Sequence, residues 1–291
     1  MTYIPLRKTR DLGDLFNDLF AFLRSEFKPL MMGIALVGGI PFLLLAIPQV
    51  ALIDTFMGLA RGGFQDSAQV TLGTFILILG GKLYFTSLIV AYVNAYLRMY
   101  LDSRGAYRIE MRQVLKVAFS KSPKAVVLTI IYGLITGIAT LFFILPGIYV
   151  AVVFALCFSA ALADDHSISS SLDRSSKLIK DNWWYTLLIY IVLYVIMSVL
   201  NNIVSIPVLF TGLFEQLLHP ENVVGVETNV GFWIASIFAE FASAFFFVIL
   251  YLGLGIYYYS RVEAVESIGL LEQIKGMGKN NSSEDEVKES Y

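Results

Sequence analysis

Residues 125–163 are AVVLTIIYGLITGIATLFFILPGIYVAVVFALCFSAALA, a stretch without a single charged side chain. A helix needs about 20 mostly apolar residues to cross the hydrocarbon of a bilayer, so this stretch is long enough for two crossings. Pro146 and Gly147 lie between its halves, and such a dipeptide stops one helix and permits a tight reversal. The sequence therefore favours a hairpin of two short spans over one very long kinked helix, which would extend far beyond one bilayer.

Other apolar stretches flank this hairpin and complete a membrane domain. The predicted spans are residues 30–53, 71–97, 125–145, 148–163, 184–210 and 230–259. Composition agrees, because 57% of the 291 residues are hydrophobic and 15% are charged, whereas soluble proteins carry about 25% charged residues. We therefore expect an all-α polytopic membrane protein whose six transmembrane helices form three hairpins over residues 30–260.

The basic residues test the number of spans and orient the chain. Lys and Arg accumulate in the cytoplasmic loops of membrane proteins. With the amino terminus inside, 19 of the 21 basic residues fall in the predicted inner segments, Arg61 falls in an outer loop and Lys82 lies within a span. Both termini are therefore expected on the cytoplasmic side of the membrane. Residues 1–29 are charged and amphipathic, unlike a cleaved signal peptide, so we expect the first span to remain as an anchor.

An amphipathic stretch precedes each odd-numbered span, which suggests a repeated unit of a cytoplasmic surface helix followed by a membrane hairpin. These stretches lie within residues 1–29, 108–118 and 168–180, and Asp165 or Ser169 is expected to cap the third. They can lie in the membrane interface, with basic side chains against anionic headgroups, or pack on the bundle. The candidate headgroup contacts are Arg7, Lys8, Arg10, Lys28, Arg174, Lys177 and Lys180. Residues 261–291 form a cytoplasmic tail that we expect to be disordered towards its end.

Ionisable side chains inside a membrane are costly, so Lys82 and Glu240 are the first candidates for function. At about 1.5 Å per residue from the cytoplasmic ends of their helices, Lys82 lies about 24 Å up and Glu240 about 31 Å up. Polar residues of two further helices reach a similar level, which predicts a polar layer near the outer leaflet with Lys82 and Glu240 as an ion pair. The layer either opens outward as a water-accessible cavity or belongs to the helix packing. It comprises Lys82, Asn201, Asn202, Glu240, Gln49 and Asp54.

Patterns typical of catalysis or metal binding are weak in this sequence. Glu215 and His219 can share a helix face near Glu221, yet a solvated loop is the simpler interpretation. The run 164–166, Asp-Asp-His, is best interpreted as an acidic turn that ends the fourth span. We find no phosphate-binding glycine loop, no nucleophile with a positioned base and no zinc-protease helix, so no catalytic, cofactor or metal site is predicted.

Residues 145–184, LPGIYVAVVFALCFSAALADDHSISSSLDRSSKLIKDNWW, resemble the bacterial family described as glycerophosphoryl diester phosphodiesterase membrane domains and related uncharacterised six-span membrane proteins. The resemblance lies in the Leu-Pro-Gly-Ile-Tyr run that opens a span, in the acidic turn, and in Leu172-x-Arg174-Ser175 followed by a tryptophan. It implies a six-span membrane fold in a bacterial plasma or inner membrane. It implies no phosphodiesterase activity, because that activity belongs to a separate soluble domain, and no soluble segment here is long enough to form one.

The sequence leaves two functions open. The lack of catalytic groups and the surface helices favour a non-catalytic membrane scaffold, or a component that interacts with lipid or with a partner membrane protein. The polar layer favours a transporter or channel for a small solute or lipid that uses an outward-facing polar cavity. A lipid-modifying enzyme is the least supported reading. A net charge of −2 and a pI of 5.7 argue against a nucleic-acid partner.

Overall fold

The structure is a computed structural model that describes residues 3–46, 48–49, 68–103, 109–218 and 230–267. These residues are 91% helical and contain no strand. Six helices are long and apolar enough to cross a membrane, which confirms the all-α polytopic architecture. The helices are α1 (Leu12–Ser25), α2 (Phe27–Ala46), α3 (Ala68–Ser103), α4 (Met111–Phe142), α5 (Ile144–Ala155), α6 (Cys157–Leu162), α7 (Ile168–Ile179), α8 (Trp183–Leu218) and α9 (Val230–Glu266).

Several predictions concern residues outside this description. The end of the predicted tail, from residue 268 onwards, is one of them. The weak pattern for metal binding is another, because its residues lie outside the described part of the chain, namely His219, Glu221 and the side chain of Glu215.

The apolar stretch 125–163 folds as the predicted hairpin. α4 ends at Phe142, the next residue is extended with φ −157° and ψ 143°, and α5 begins at Ile144. α5 and α6 together form the fourth span, Ile144–Leu162. This span runs antiparallel to α4, since Gly147 lies against Thr140 at one end and Lys124 Nζ donates to Ala161 O at 2.6 Å at the other. The reversal precedes the Pro-Gly dipeptide, because proline lacks an N–H and fits the first turn of a helix.

The second amphipathic stretch is not a separate surface helix, which departs from the predicted threefold repeat. α4 continues without a break from Met111 to Phe142 and passes through Pro123. A proline inside a helix leaves the carbonyl four residues earlier without its usual donor. Here the Ser122 hydroxyl donates to Phe119 O at 2.8 Å and supplies that bond. The stretch and the third span therefore form one helix.

The first surface helix is present and packs on the bundle. Asp11 caps α1 by accepting a hydrogen bond from the backbone N–H of Asp14 at 2.7 Å. Its apolar face is buried, since Leu15, Leu19 and Phe22 are at most 1% exposed. This amphipathic helix could lie in the membrane interface or pack on the bundle. The structure shows that its apolar face packs on the bundle.

The third surface helix, α7, is joined to the span that follows it by one 3-10 turn, Lys180–Asn182, with no non-helical residue between them. Its cap is Ser167, whose hydroxyl accepts from the N–H of Ser170 at 3.2 Å, and not Asp165 or Ser169 as expected. Asp165 has a positive φ of 58° in the turn after α6, and its carboxylate pairs with Lys121 at 2.8 Å.

The bundle has a packed end and an open end. We call the packed end the base (residues 3–25, 87–103, 109–124, 157–182 and 252–267) and the open end the distal half (residues 68–82, 133–149, 197–218 and 230–247). The segment before α1 and the C-terminal part of α9 meet in the base, where the Arg10 N–H donates to Ser260 Oγ at 3.0 Å. Residues 87–97 of α3 and 252–260 of α9 are all buried, whereas every residue from 133 to 149 except Gly147 is exposed or half-buried.

Candidate functional site

Three segments of the chain bring polar side chains together towards the distal end. Lys82 Nζ on α3 lies 2.8 Å from Glu240 Oε1 on α9, so the predicted ion pair is present. Gln49 donates its side-chain N–H to the same oxygen at 3.2 Å. The Oε1 atom of Gln49 is buried and has no hydrogen-bond partner within the described part of the chain. We call these three residues the distal polar cluster.

The two asparagines predicted for the polar layer do not join this cluster through hydrogen bonds. Asn201 donates to Met197 O at 3.0 Å and Asn202 donates to Ser198 O at 2.8 Å, each one turn back on α8. Such bonds satisfy an amide inside an apolar helix without a partner from another helix. Asp54 lies outside the described residues. The structure thus brings together three of the six predicted residues.

The chemistry of the distal polar cluster is that of one ammonium, one carboxylate and one amide. The Lys82 and Glu240 side chains are 37% and 22% exposed, so the pair lies at the surface of the helix bundle and not sealed within it. Inside hydrocarbon a paired charge is far less costly than an isolated one. The cluster can therefore hold α3 and α9 together, and it can offer the Lys82 ammonium to an anionic group nearby.

A cavity of about 90 Å³ lies between the α4–α5 hairpin and helices α8 and α9. Three tyrosines from three helices line it, namely Tyr132, Tyr190 and Tyr251. The hydroxyls of Tyr132 and Tyr190 are neighbours, and the ring of Tyr132 packs on Phe154 and Phe158 with centroids 5.5 and 6.0 Å apart. We call it the tyrosine cavity.

Sequence reasoning missed the tyrosine cavity, because its lining residues follow no spacing along the chain. The one available signal is the occurrence of tyrosine well inside apolar spans. Tyrosine usually lies at the membrane interfaces, where its ring is apolar and its hydroxyl is hydrated. Tyr132, Tyr190 and Tyr251 all depart from that rule, and all three line the cavity.

A chain of charged and tyrosine side chains crosses the base. Asp164, in the turn after α6, accepts from Arg98 Nη1 at 3.0 Å and from the Tyr258 hydroxyl at 2.6 Å. Arg174 Nε donates to the same hydroxyl at 2.9 Å, and its Nη1 atom lies 2.9 Å from a carboxylate oxygen of Glu266. The acidic turn and Arg174, which carry much of the family resemblance, thus tie α3, α7 and α9 together.

Two of the predicted headgroup contacts, Arg10 and Arg174, are bonded to other groups of the base, and their contact with headgroups stays a prediction. The side chain of Arg10 is fully buried and donates to Asp18 at 2.8 Å, and Arg174 is bonded as just described. A guanidinium has five donors in a planar fork and suits such multiple acceptors, whereas a lysine ammonium is more strongly hydrated. Arg7 is half-buried. The exposed candidates are Lys8, Lys28, Lys177 and Lys180.

Comparisons with protein families, with curated proteins and with solved structures find no match to this chain. The resemblance to the glycerophosphoryl diester phosphodiesterase membrane-domain family therefore stays a prediction. The structure itself defines the class: an all-α protein with six helices that are able to span a membrane.

Proposed function

We propose that this chain is a non-catalytic integral membrane protein of a bacterial plasma or inner membrane, whose distal half interacts with lipid. In this proposal the base and both termini face the cytoplasm. The main support for this proposal is the α4–α5 hairpin, which extends beyond the packed base and has no polar loop at its tip. Five successive apolar residues at its tip, 141–145, are 70–86% exposed. In water such surface would cost about 25 cal/mol for each Å², a cost that lipid chains remove.

The depth of the hairpin tip supports a lipid environment. At about 1.5 Å per residue, Leu141 lies about 25 Å beyond Lys124 along α4. The hydrocarbon core of a bilayer is about 30 Å thick. With Lys124 at the inner boundary, the tip stays inside the outer leaflet and has acyl chains around it. The distal polar cluster then lies close to the outer headgroups, where the Lys82 ammonium can meet a phosphate.

The base supports the same function from the other side of the membrane. Lys177 and Lys180 are exposed there, as is Lys28 next to it at the start of α2, and basic side chains beside a bilayer attract anionic headgroups. The charged groups of the base interior are paired with one another, as Arg98 and Arg174 are through Asp164, Tyr258 and Glu266. We therefore propose that the base anchors the protein at the cytoplasmic face of the membrane and does not catalyse a reaction.

Native mass spectrometry of the full-length protein released from a mild detergent tests this proposal. We expect the wild-type protein to retain phospholipid at collision energies that remove the detergent. Combining Leu134→Ser with Ile138→Ser should lower the retained lipid by about half, because both side chains are 59% exposed and apolar contact is lost. The matched control is Phe119→Ser, an exposed position on the same helix within the base, which should retain lipid like the wild type. A wild-type protein without lipid, or an equal loss in the control, would contradict the proposal.

A transporter or channel for a small solute or lipid is the second candidate, and the distal polar cluster favours it. Its three polar groups come from three parts of the chain and are only partly covered. A water-filled outer cavity would let a membrane-impermeant thiol reagent reach a cysteine placed at Gln49. The only native cysteine, Cys157, is buried and can be replaced by alanine for this experiment. Rapid labelling would favour transport, and absent labelling would favour the lipid-facing proposal.

A further inference from the structure

The tyrosine cavity lies at a depth where a membrane contains only hydrocarbon. Measured from the base ends of their helices, Tyr132, Tyr190 and Tyr251 lie about 10 to 15 Å along the membrane normal. The hydrocarbon core is about 30 Å thick, so the cavity is close to the bilayer midplane. The molecules available at that depth are the ends of lipid chains.

The polar groups of the cavity wall are largely occupied by the protein. The Thr129 hydroxyl donates to Ala125 O at 2.9 Å and accepts from Ser87 Oγ at 2.9 Å. The hydroxyls of Tyr132 and Tyr190 neighbour each other. Within the described residues, no charged side chain lines the cavity. The rest of the wall consists of Tyr251 and six apolar residues, Ala151, Phe154, Ala155, Phe158, Leu250 and Leu254.

The volume of the cavity limits which part of a lipid molecule can enter it. Its volume of about 90 Å³ is about three times the 30 Å³ that one water molecule occupies in the liquid. A phospholipid headgroup is too large for this space, whereas a few methylene groups and a terminal methyl fit it. Ala151 and Ala155 line the cavity with side chains that end at Cβ, and so they leave this room open.

We infer that the tyrosine cavity binds the end of a hydrocarbon chain of a membrane lipid. The chain enters from the bilayer beside the α4–α5 hairpin, whose distal part is exposed. Its terminal methylene groups pack on the ring faces of the three tyrosines and on Phe154. The inference rests on the proposed lipid interaction and deepens it, since it names the part of the lipid and the residues that hold it.

Photolabelling of the full-length protein in phospholipid vesicles tests the inference. The probe is a phosphatidylcholine with a diazirine at the end of one acyl chain, and the labelled peptides are identified by mass spectrometry. We expect labelling of the cavity segment 250–254 in the wild type. Ala151→Phe fills the cavity and should lower that labelling at least about fivefold. The matched control is Val127→Phe, which adds the same ring at a 43% exposed position of α4 and should leave it unchanged.

A second variant keeps the inference falsifiable if Ala151→Phe fails to fold. Leu254→Ala enlarges the cavity and should raise the labelling of segment 250–254 about twofold. Labelling of the hairpin surface around Leu134 reports on the lipid interaction itself. If that surface is labelled and the cavity is not, the inference is overturned while the proposed function stands. If neither is labelled, both are overturned.

Discussion

Replacing Arg10 by methionine should destabilise the folded protein by about 3 kcal/mol, because a buried cation would no longer hold the N-terminal segment. The guanidinium donates to the carbonyls of Pro5, Leu6 and Lys8 and to the carboxylate of Asp18. Methionine fills much of the space but provides no donor, so three carbonyls and a carboxylate lose the guanidinium as a hydrogen-bond partner. The loss is measured as the free energy of unfolding by guanidinium chloride in mild detergent.

Arg24→Met is the matched control for that experiment. Arg24 lies in the last turn of α1 and is exposed, so its replacement should change the free energy of unfolding by less than about 0.5 kcal/mol. Equal stability of the Arg10 and Arg24 variants would show that the buried guanidinium does not hold the base together.

Breaking the distal ion pair should have the second largest effect. Lys82→Met leaves the Glu240 carboxylate with Gln49 as its remaining hydrogen-bond donor among the described residues. Since the pair faces lipid in our proposal, we expect a loss of about 2 to 3 kcal/mol. Adding Glu240→Gln to Lys82→Met removes the uncompensated charge and should recover at least about 1 kcal/mol. The measurement is a double-mutant cycle on the free energy of unfolding.

The ion pair between Lys8 and Asp14 provides a matched control for the cycle. Its atoms are 3.6 Å apart and its side chains are 48% and 50% exposed, at the surface of the base. An exposed pair contributes about 0 to 1 kcal/mol, so its coupling should be much smaller. Strictly additive effects of Lys82→Met and Glu240→Gln would show that the distal pair is not energetically coupled.

Positions along the membrane normal could be predicted from the sequence, because they require only counting residues along a helix. The hairpin at 125–163 follows from its length and its Pro-Gly dipeptide. The pairing of Lys82 with Glu240 follows from their similar depths and from the cost of leaving either charge alone. Asn201 and Asn202 have similar depths, but their amides can bond to their own helix, so depth alone does not determine their partners.

The rotation of each helix about its own axis could not be predicted, because the spans are apolar on every face. A tyrosine well inside an apolar span does not by itself indicate the cavity, because Tyr132 lines it whereas Tyr194, also inside a span, is 50% exposed. The continuity of α4 through Pro123 could not be predicted either, because the Ser122 side chain supplies the hydrogen bond to the carbonyl that the proline leaves without a donor. Arg10 and Lys8 are two residues apart in an irregular segment, and only their tertiary contacts bury one and expose the other.

The claim that lipid covers the distal half is tested most directly by spin labels at Leu134, Ile138 and Leu141, one at a time, in the Cys157→Ala protein in vesicles. Collision rates with oxygen, which concentrates in lipid, are compared with those for a water-soluble nickel complex. We predict high oxygen access and low nickel access at all three positions, and the reverse at Phe119 in the base. High nickel access at Leu134 and Ile138 would reveal a water-filled cavity, and low access to both reagents would reveal a protein partner. Either result would contradict the lipid-facing role.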